Sequence, residues 1–120
     1  MAEILVVEDD SDVAHLLNVR LTRGGHDVSL AADGAAGLTA ARAGHPDLVI
    51  LDWMMPLKNG LEVCTELRAS EDFSATKIMM LTARTTQEDI DRAMAAGADD
   101  FVTKPFSPRA LVERVEKLIA

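Results

Sequence analysis

Short apolar runs alternate with helix-period stripes along the whole chain. Residues 4–7 are apolar without interruption. From about 12 to 23, Val13, Leu16, Leu17 and Leu21 fall on one helical face, and Gly24 with Gly25 marks a stop. Residues 27–31 predict a second, weaker strand. Asp33 can cap an alanine-rich helix that runs to about Ala43 before Gly44 ends it. The apolar run 48–51 suits a strand covered on both faces at the centre of a parallel sheet, and it ends on a carboxylate, Asp52. A loop over 53–58 then leads into a third helix, roughly 59–69, with Gly60 near its start and Cys64 among Leu61, Val63 and Leu67 on its inner face.

The polar segment 70–76 precedes a fourth strand, 77–81. Thr85 and Glu88 carry capping-box spacing for a fourth helix that Gly97 closes. Residues 101–103 make a short fifth strand. Ser107 then caps a last helix with Pro108 in its first turn and Leu111, Val112, Val115, Leu118 and Ile119 as its stripe. Five βα units with right-handed crossovers give an α/β fold: a doubly wound, five-stranded parallel sheet in the flavodoxin-like order 2-1-3-4-5. At 120 residues and 48% apolar content, the chain predicts one domain over 1–120, with no linker or repeat.

Charge and cysteine content narrow the classes of partner. A formal charge of −8 and no basic stripe argue against direct nucleic-acid contact. The single cysteine rules out an internal disulfide and fits a reducing cytoplasm, and the run 4–7 is too short for a signal core or a membrane span. His15, His26 and His45 show no metal-ligand spacing and are expected at the surface.

The chemistry gathers at the strand ends. Strand one ends in Glu8-Asp9-Asp10, strand three in Asp52, strand four in Thr82 and strand five in Thr103-Lys104-Pro105, all on one sheet edge. Strands one and three are neighbours in this order, so Glu8, Asp9 and Asp52 converge at the topological switch point. Carboxylates packed together repel one another unless their pKa values rise or a cation binds, and an oxygen-rich site with few protein ligands suits Mg²⁺. A metal beside an aspartate, with Lys104 and Thr82 as donors, fits phosphoryl transfer with Asp52 as nucleophile. Taken singly, each residue also has a bland role: a solvated acidic turn, a helix-approach hydroxyl, a surface lysine. Their shared edge favours the joint reading.

Through LVVEDD at 5–10, DLVILDWMMP at 47–56, Gly60, MLTA at 80–83 and GADDFVTKPF at 97–106, the chain resembles bacterial response-regulator receiver domains of two-component signalling. The resemblance covers essentially the whole chain. It implies Asp52 as phosphoacceptor, Asp9 as a direct Mg²⁺ ligand, Glu8 as a ligand through water, and the Met54 carbonyl as a further direct ligand. Thr82 and Lys104 then contact phosphoryl oxygens, Thr82 with Phe101 forms the switch, and the Lys104–Pro105 peptide is cis. The implied donor is a sensor histidine kinase, a phosphotransfer protein or a small acyl phosphate. The implied protein catalyses only its own phosphorylation and dephosphorylation, and acts on an output domain or partner through the face of helix four, strand five and helix five.

The chain departs from that family in two places. The switch position, often tyrosine, is Phe101, which has no hydroxyl. DNA-binding regulators of similar sequence pair through the helix-four face by salt bridges; Asp100 and Arg114 resemble one such pair, while Ile90 and Ala110 stand where another would be charged. An exposed Ile90 would offer an apolar docking patch instead. Three rival classes fit these residues less well. A dehalogenase-type hydrolase needs a second aspartate two residues after the nucleophile, where this chain has Met54, and a flavin-binding fold needs a phosphate loop where Glu8-Asp9-Asp10 would repel phosphate. A phosphorylation-independent scaffold should lack an acidic, hydroxyl or lysine element, and none is missing.

Overall fold

The computed structural model describes residues 1–120. Its strands are β1 Glu3–Val7, β2 Asp27–Ala31, β3 Leu48–Asp52, β4 Lys77–Thr82 and β5 Asp100–Thr103. Its helices are α1 Ser11–Arg23, α2 Gly34–Gly44, α3 Gly60–Arg68, α4 Gln87–Ala95 and α5 Pro108–Ile119, with a 3₁₀ turn at Glu71–Phe73. The strands pair in parallel in the order β2-β1-β3-β4-β5, the flavodoxin-like order read from the βα pattern. Every residue of β3 is buried, as befits the middle strand. β2, at the edge, buries only Ala31 fully.

Alternation along the strands divides the core into two layers. Leu5, Val7, Val49, Leu51, Ile78 and Met80 pack with residues of α2, α3 and α4. Ile4, Val6, Leu48, Ile50, Met79, Leu81 and Val102 pack with Leu17 and Leu21 of α1 and Leu111 and Val115 of α5. Cys64 lies in the first layer, where burial pushes its thiol up to about 11.

The stops and caps differ from expectation at two points, and the burial of one histidine makes a third difference. Gly44 is the last helical residue of α2, and His45 takes the left-handed turn at φ 45°, with its ring stacked on Phe73 at 5.3 Å. At α4 the cap is Thr86 rather than Thr85: its hydroxyl accepts from the Asp89 N–H at 3.2 Å and donates to the Asp89 carboxylate at 2.9 Å. Both threonines have an acid three residues on, so spacing alone does not separate them. The third difference is His26, which is buried at 6% exposure, while His15 and His45 are exposed.

His26 joins three parts of the chain. Its Nδ1 accepts from the Ala2 N–H at 3.0 Å, which leaves Nε2 to carry the proton toward Glu116 of α5 at 2.7 Å. Arg68 makes a second clamp that the residue pattern does not reveal. It donates to the Phe73 and Gly97 carbonyls at 2.6 and 2.9 Å and pairs with Asp99 at 2.8 Å. Asp99 in turn accepts from the Ile78 N–H at 2.8 Å, so α3, β4 and the turn after α4 are held together.

Replacing His26 with alanine strands the buried Ala2 N–H, so His26→Ala should lose about 2 kcal/mol of unfolding free energy in urea titrations. Glu116→Gln still accepts from Nε2 and should lose under half as much. Equal losses would place the stabilisation in the His26–Glu116 hydrogen bond rather than in the backbone acceptor.

Candidate phosphoacceptor site

Three features place the acidic residues at the C-terminal edge of the sheet. β1 and β3 run side by side with Val7 opposite Leu51, so Glu8 and Asp52 leave their strands together. Next, the chain after β3 folds back on itself: the Gly60 N–H donates to the Trp53 carbonyl at 3.0 Å, and a side chain at Gly60 would run into the Asp52 carbonyl. Finally, a capping box between Asn59 and Glu62 starts α3 at that point.

Glu8 and Asp52 are almost fully buried, at 2% and 3% exposure, whereas Asp9 faces solvent. Carboxylate oxygens of Glu8, Asp9 and Asp52 lie within 4.8 Å of one another. Asp10 does not join them. Its Oδ1 accepts from the Asp12 and Val13 N–H groups at 2.9 and 3.3 Å and so caps α1. The Ser11–Asp12 start of the helix hides this cap within an acidic triplet, so only the backbone geometry separates Asp10 from its neighbours.

One ammonium faces the carboxylates. Lys104 Nζ lies 2.8 Å from Glu8 Oε1 and 3.2 Å from Asp52 Oδ1, carried there by β5 and a cis Lys104–Pro105 peptide. Burial works against its charge, but the hydrogen bond to Glu8 and the charges of Asp52 and Glu8 outweigh it and hold the lysine above its ordinary value. Asp52 is pushed up from 3.8 to about 7, first by burial and then by the neighbouring Glu8, with Lys104 pulling the other way. The donor set is all oxygen and carries more negative than positive charge, which fits a hard divalent cation of the Mg²⁺ kind.

Thr82, at the end of β4, is buried at 2% exposure, and its hydroxyl accepts from the Arg84 N–H at 2.8 Å. Phe101 on β5 is half-buried opposite Met80 and packs on the same core layer. Trp53, buried beside Asp52, has the guanidinium groups of Arg84 and Arg92 over its ring at 5.3 and 5.8 Å. Neither arginine was marked by the strand-end pattern, because both lie past β4, in the loop and in α4. Met54 is exposed; its N–H donates to Asp52 Oδ1 at 3.3 Å and its sulfur meets Arg84 Nε at 3.5 Å.

On the α4–β5–α5 face, Asp100 and Arg114 pair within the chain at 3.1 Å. Ile90 is half-buried, so the condition for an apolar patch on it is not met; Met94 is the exposed large apolar residue of α4. No helix is long and apolar enough to cross a membrane.

Comparison with known proteins identifies the family. Residues 4–116 match the family model of the response regulator receiver domain. The DNA-binding response regulator MtrA of Mycobacterium leprae is 46% identical over 112 residues, which is 93% of this chain and 48% of the relative. The alkaline phosphatase synthesis transcriptional regulatory protein PhoP of Bacillus subtilis is 42% identical over 117 residues, 98% of this chain and 48% of the relative. The chain thus spans about half the length of the curated relatives it matches. Among solved structures, the chemotaxis response regulator CheY4 of Vibrio cholerae superposes with a TM-score of 0.93 at 31% identity, covering 98% of each chain. The receiver domain of a Pseudomonas aeruginosa sensor histidine kinase, with a magnesium ion coordinated in its active-site cleft, superposes at 0.89 with 30% identity, covering 98% of this chain and 97% of that one. By sequence and by fold, the chain belongs to the response regulator receiver domain family of two-component systems.

Proposed function

We propose that residues 1–120 act as one receiver domain whose switch is phosphorylation of Asp52. The observation that carries this reading is the buried Asp52 carboxylate, with the Lys104 ammonium 3.2 Å away and oxygens of Glu8 and Asp9 within 4.8 Å. An Asp52 oxygen attacks phosphorus, the P–N bond of a kinase or phosphotransfer-protein phosphohistidine breaks, and the imidazole leaves with its electron pair. A small acyl phosphate serves equally well, its carboxylate leaving. Water later hydrolyses the acyl phosphate on Asp52, so the chain acts catalytically only on itself.

Asp9, Asp52 and the Met54 carbonyl would hold Mg²⁺ directly, and Glu8 through water. When bound, the ion supplies charge neutralisation for the phosphoryl oxygens. Lys104 and Thr82 then bind the remaining oxygens, and the buried setting keeps their dipoles and charges oriented before transfer. Thr82 and Phe101 relay the change to the α4–β5–α5 face, where an output domain or partner reads it. Pairing of two chains through that face would exchange the internal Asp100–Arg114 pair for an external one. A scaffold indifferent to phosphate would have no use for a carboxylate held buried at this edge.

Incubation with acetyl phosphate and Mg²⁺ should add one phosphoryl group by intact mass, and Asp52→Asn should add none. Equal labelling of the variant would move the acceptor elsewhere.

Metal affinity should separate the acidic triplet. By titration of Trp53 fluorescence, Asp9→Asn should weaken Mg²⁺ binding by roughly tenfold or more, while Asp10→Asn, which touches only the α1 cap, stays within about twofold. Matching affinities for Asp9→Asn and the wild type would exclude Asp9 as a ligand.

Stability of the metal-free chain should depend on Asp52 with a definite sign. Between about pH 4 and 7 the folded state holds a proton that the unfolded state has released, so stability falls as pH rises through that window. Asp52→Asn should therefore stabilise the metal-free chain at pH 8, on the order of 2 kcal/mol, and have little effect at pH 4. A variant no more stable than the wild type at pH 8 would show that Lys104 already compensates the charge.

A further inference from the structure

The two edges of the sheet are finished differently. At the β5 edge, Arg114 of α5 lies along the strand, paired with Asp100 at 3.1 Å and donating to the Phe101 carbonyl at 3.1 Å. No side chain plays that part at β2. The β1–β2 ladder runs from the Asp27 N–H on the Ala2 carbonyl to the Glu8 N–H on the Ala31 carbonyl. Asp27, Ser29 and Ala31 therefore direct their backbone groups to β1, and Val28 and Leu30 turn theirs outward. No turn, cap or loop hydrogen bond reaches those outward groups.

β2 also lacks the features that keep an edge strand single. Residues 27–31 hold no lysine, arginine or proline, the register with β1 has no bulge, and the one charge, Asp27, stands at the start of the strand. α1 and α2 each pack on both β1 and β2 and leave the outer edge open, with Ser29 and Leu30 exposed. Leu30, at 46% exposure, is the one exposed large apolar side chain on any strand.

We propose that the β2 edge pairs with β2 of a second copy of this chain, antiparallel, about a two-fold axis through Ser29. The strand is self-complementary in that register. Val28 of each copy falls opposite Leu30 of the other, so every outward N–H and C=O finds a partner. The apolar side chains of each such pair meet on the α1 side of the sheet, where Val28 already packs. Ser29 meets Ser29, and Asp27 meets Ala31, so no like charges stand opposite one another. A parallel neighbour in register would set Asp27 beside Asp27. The charge pattern therefore selects the antiparallel copy, and residues 28–32 form an uncharged window through which two chains of formal charge −8 can approach. An unrelated extended segment could reach the same backbone groups, but a second copy matches the Val28 and Leu30 spacing by symmetry. Five residues on each side fall well short of the roughly 20–30 of a stable interface, so the pairing is weak and concentration-dependent. It leaves the α4–β5–α5 face free, because β5 is at the other end of the sheet.

The test is sedimentation equilibrium of the chain from about 10 µM to about 1 mM, with amide hydrogen exchange read by NMR at both ends of that range. Average mass should rise with concentration, and more steeply at higher salt, which screens the repulsion between two acidic copies. Exchange at the Val28 and Leu30 N–H groups should slow by about twofold or more at the higher concentration, while Ser29, already bonded to β1, stays unchanged. Leu30→Lys, which adds a charge at an exposed position, should weaken association by about tenfold and keep the thermal midpoint. Val28→Pro, which removes an N–H that β1 does not use, should act the same way. Arg114→Ala, at the other edge, should leave association as it is. A chain that stays monomeric up to about 1 mM would overturn the proposal. So would association that Leu30→Lys leaves intact, that Arg114→Ala abolishes, or that proceeds without slowed exchange at Val28 and Leu30, since each places the contact on another surface. Association that weakens as salt rises would also overturn it, by making ion pairs the cause.

Discussion

Two carboxylates buried within reach of a single ammonium set the terms for the rest of this structure. Glu8 and Asp52 are carried to neighbouring positions because β1 and β3 are adjacent and parallel, and neither can turn to water without leaving the sheet edge. Lys104, from β5 on the far side of β4, supplies the compensating charge. Its hydrogen bond to Glu8 ties the first strand to the last one, 96 residues on. Burial, and after it the neighbouring Glu8, still hold the Asp52 carboxyl above its ordinary range against the pull of Lys104. A pocket left short of positive charge is suited to receive a divalent cation and, with it, the charge of a phosphoryl group.

Much of the fold was legible because the sheet is parallel and covered on both sides. Continuous apolar runs mark strands of that kind, and the run 48–51 identified the central one. The site was legible for a related reason, since a parallel sheet exposes its strand ends at one edge and the polar residue closing each run falls there. What the pattern could not resolve was geometry at the scale of one residue. Asp9 and Asp10 are chemically identical, and only the direction of the first turn of α1 makes one of them a cap. Thr85 and Thr86 are equally spaced from an acid.

Long-range polar partners were illegible for a different reason. A histidine after a glycine pair reads as solvated, and nothing near His26 in sequence announces that it accepts from Ala2 and faces Glu116, 90 residues away. Arg68 looks like a surface charge at a helix end, yet it clamps three segments through two carbonyls and Asp99. Such contacts follow from the packing of elements that local periodicity places only one at a time. Gly97, at φ +110°, belongs to the same clamp, because a side chain there would strike the Arg68 stem.

That clamp bears on how the site could reach the surface. Arg68 holds the turn at the C-terminal end of α4, while the N-terminal end hangs on polar contacts that start at Thr82. The Thr82 hydroxyl supports the Arg84 N–H, and the Arg84 guanidinium spans Trp53 and Asp89, in the first turn of α4. On the phosphoacceptor reading, a rotation that brings this hydroxyl toward a phosphoryl oxygen draws on the same atom that positions the β4–α4 loop. On that same reading, the end of α4 nearer Thr82 would move about its clamped end. Thr82 stands two residues along β4 from Met80, the register partner of Phe101, and so faces the same side of the sheet. A phenyl ring can follow into the space that Thr82 vacates, and it leaves no hydroxyl behind to hold the outward position. The missing hydrogen bond is worth about 1 kcal/mol, a roughly fivefold bias between the two ring positions. On the phosphoacceptor reading, that would be too small to replace the phosphoryl group as the input, but large enough to lower the threshold at which the α4 face responds.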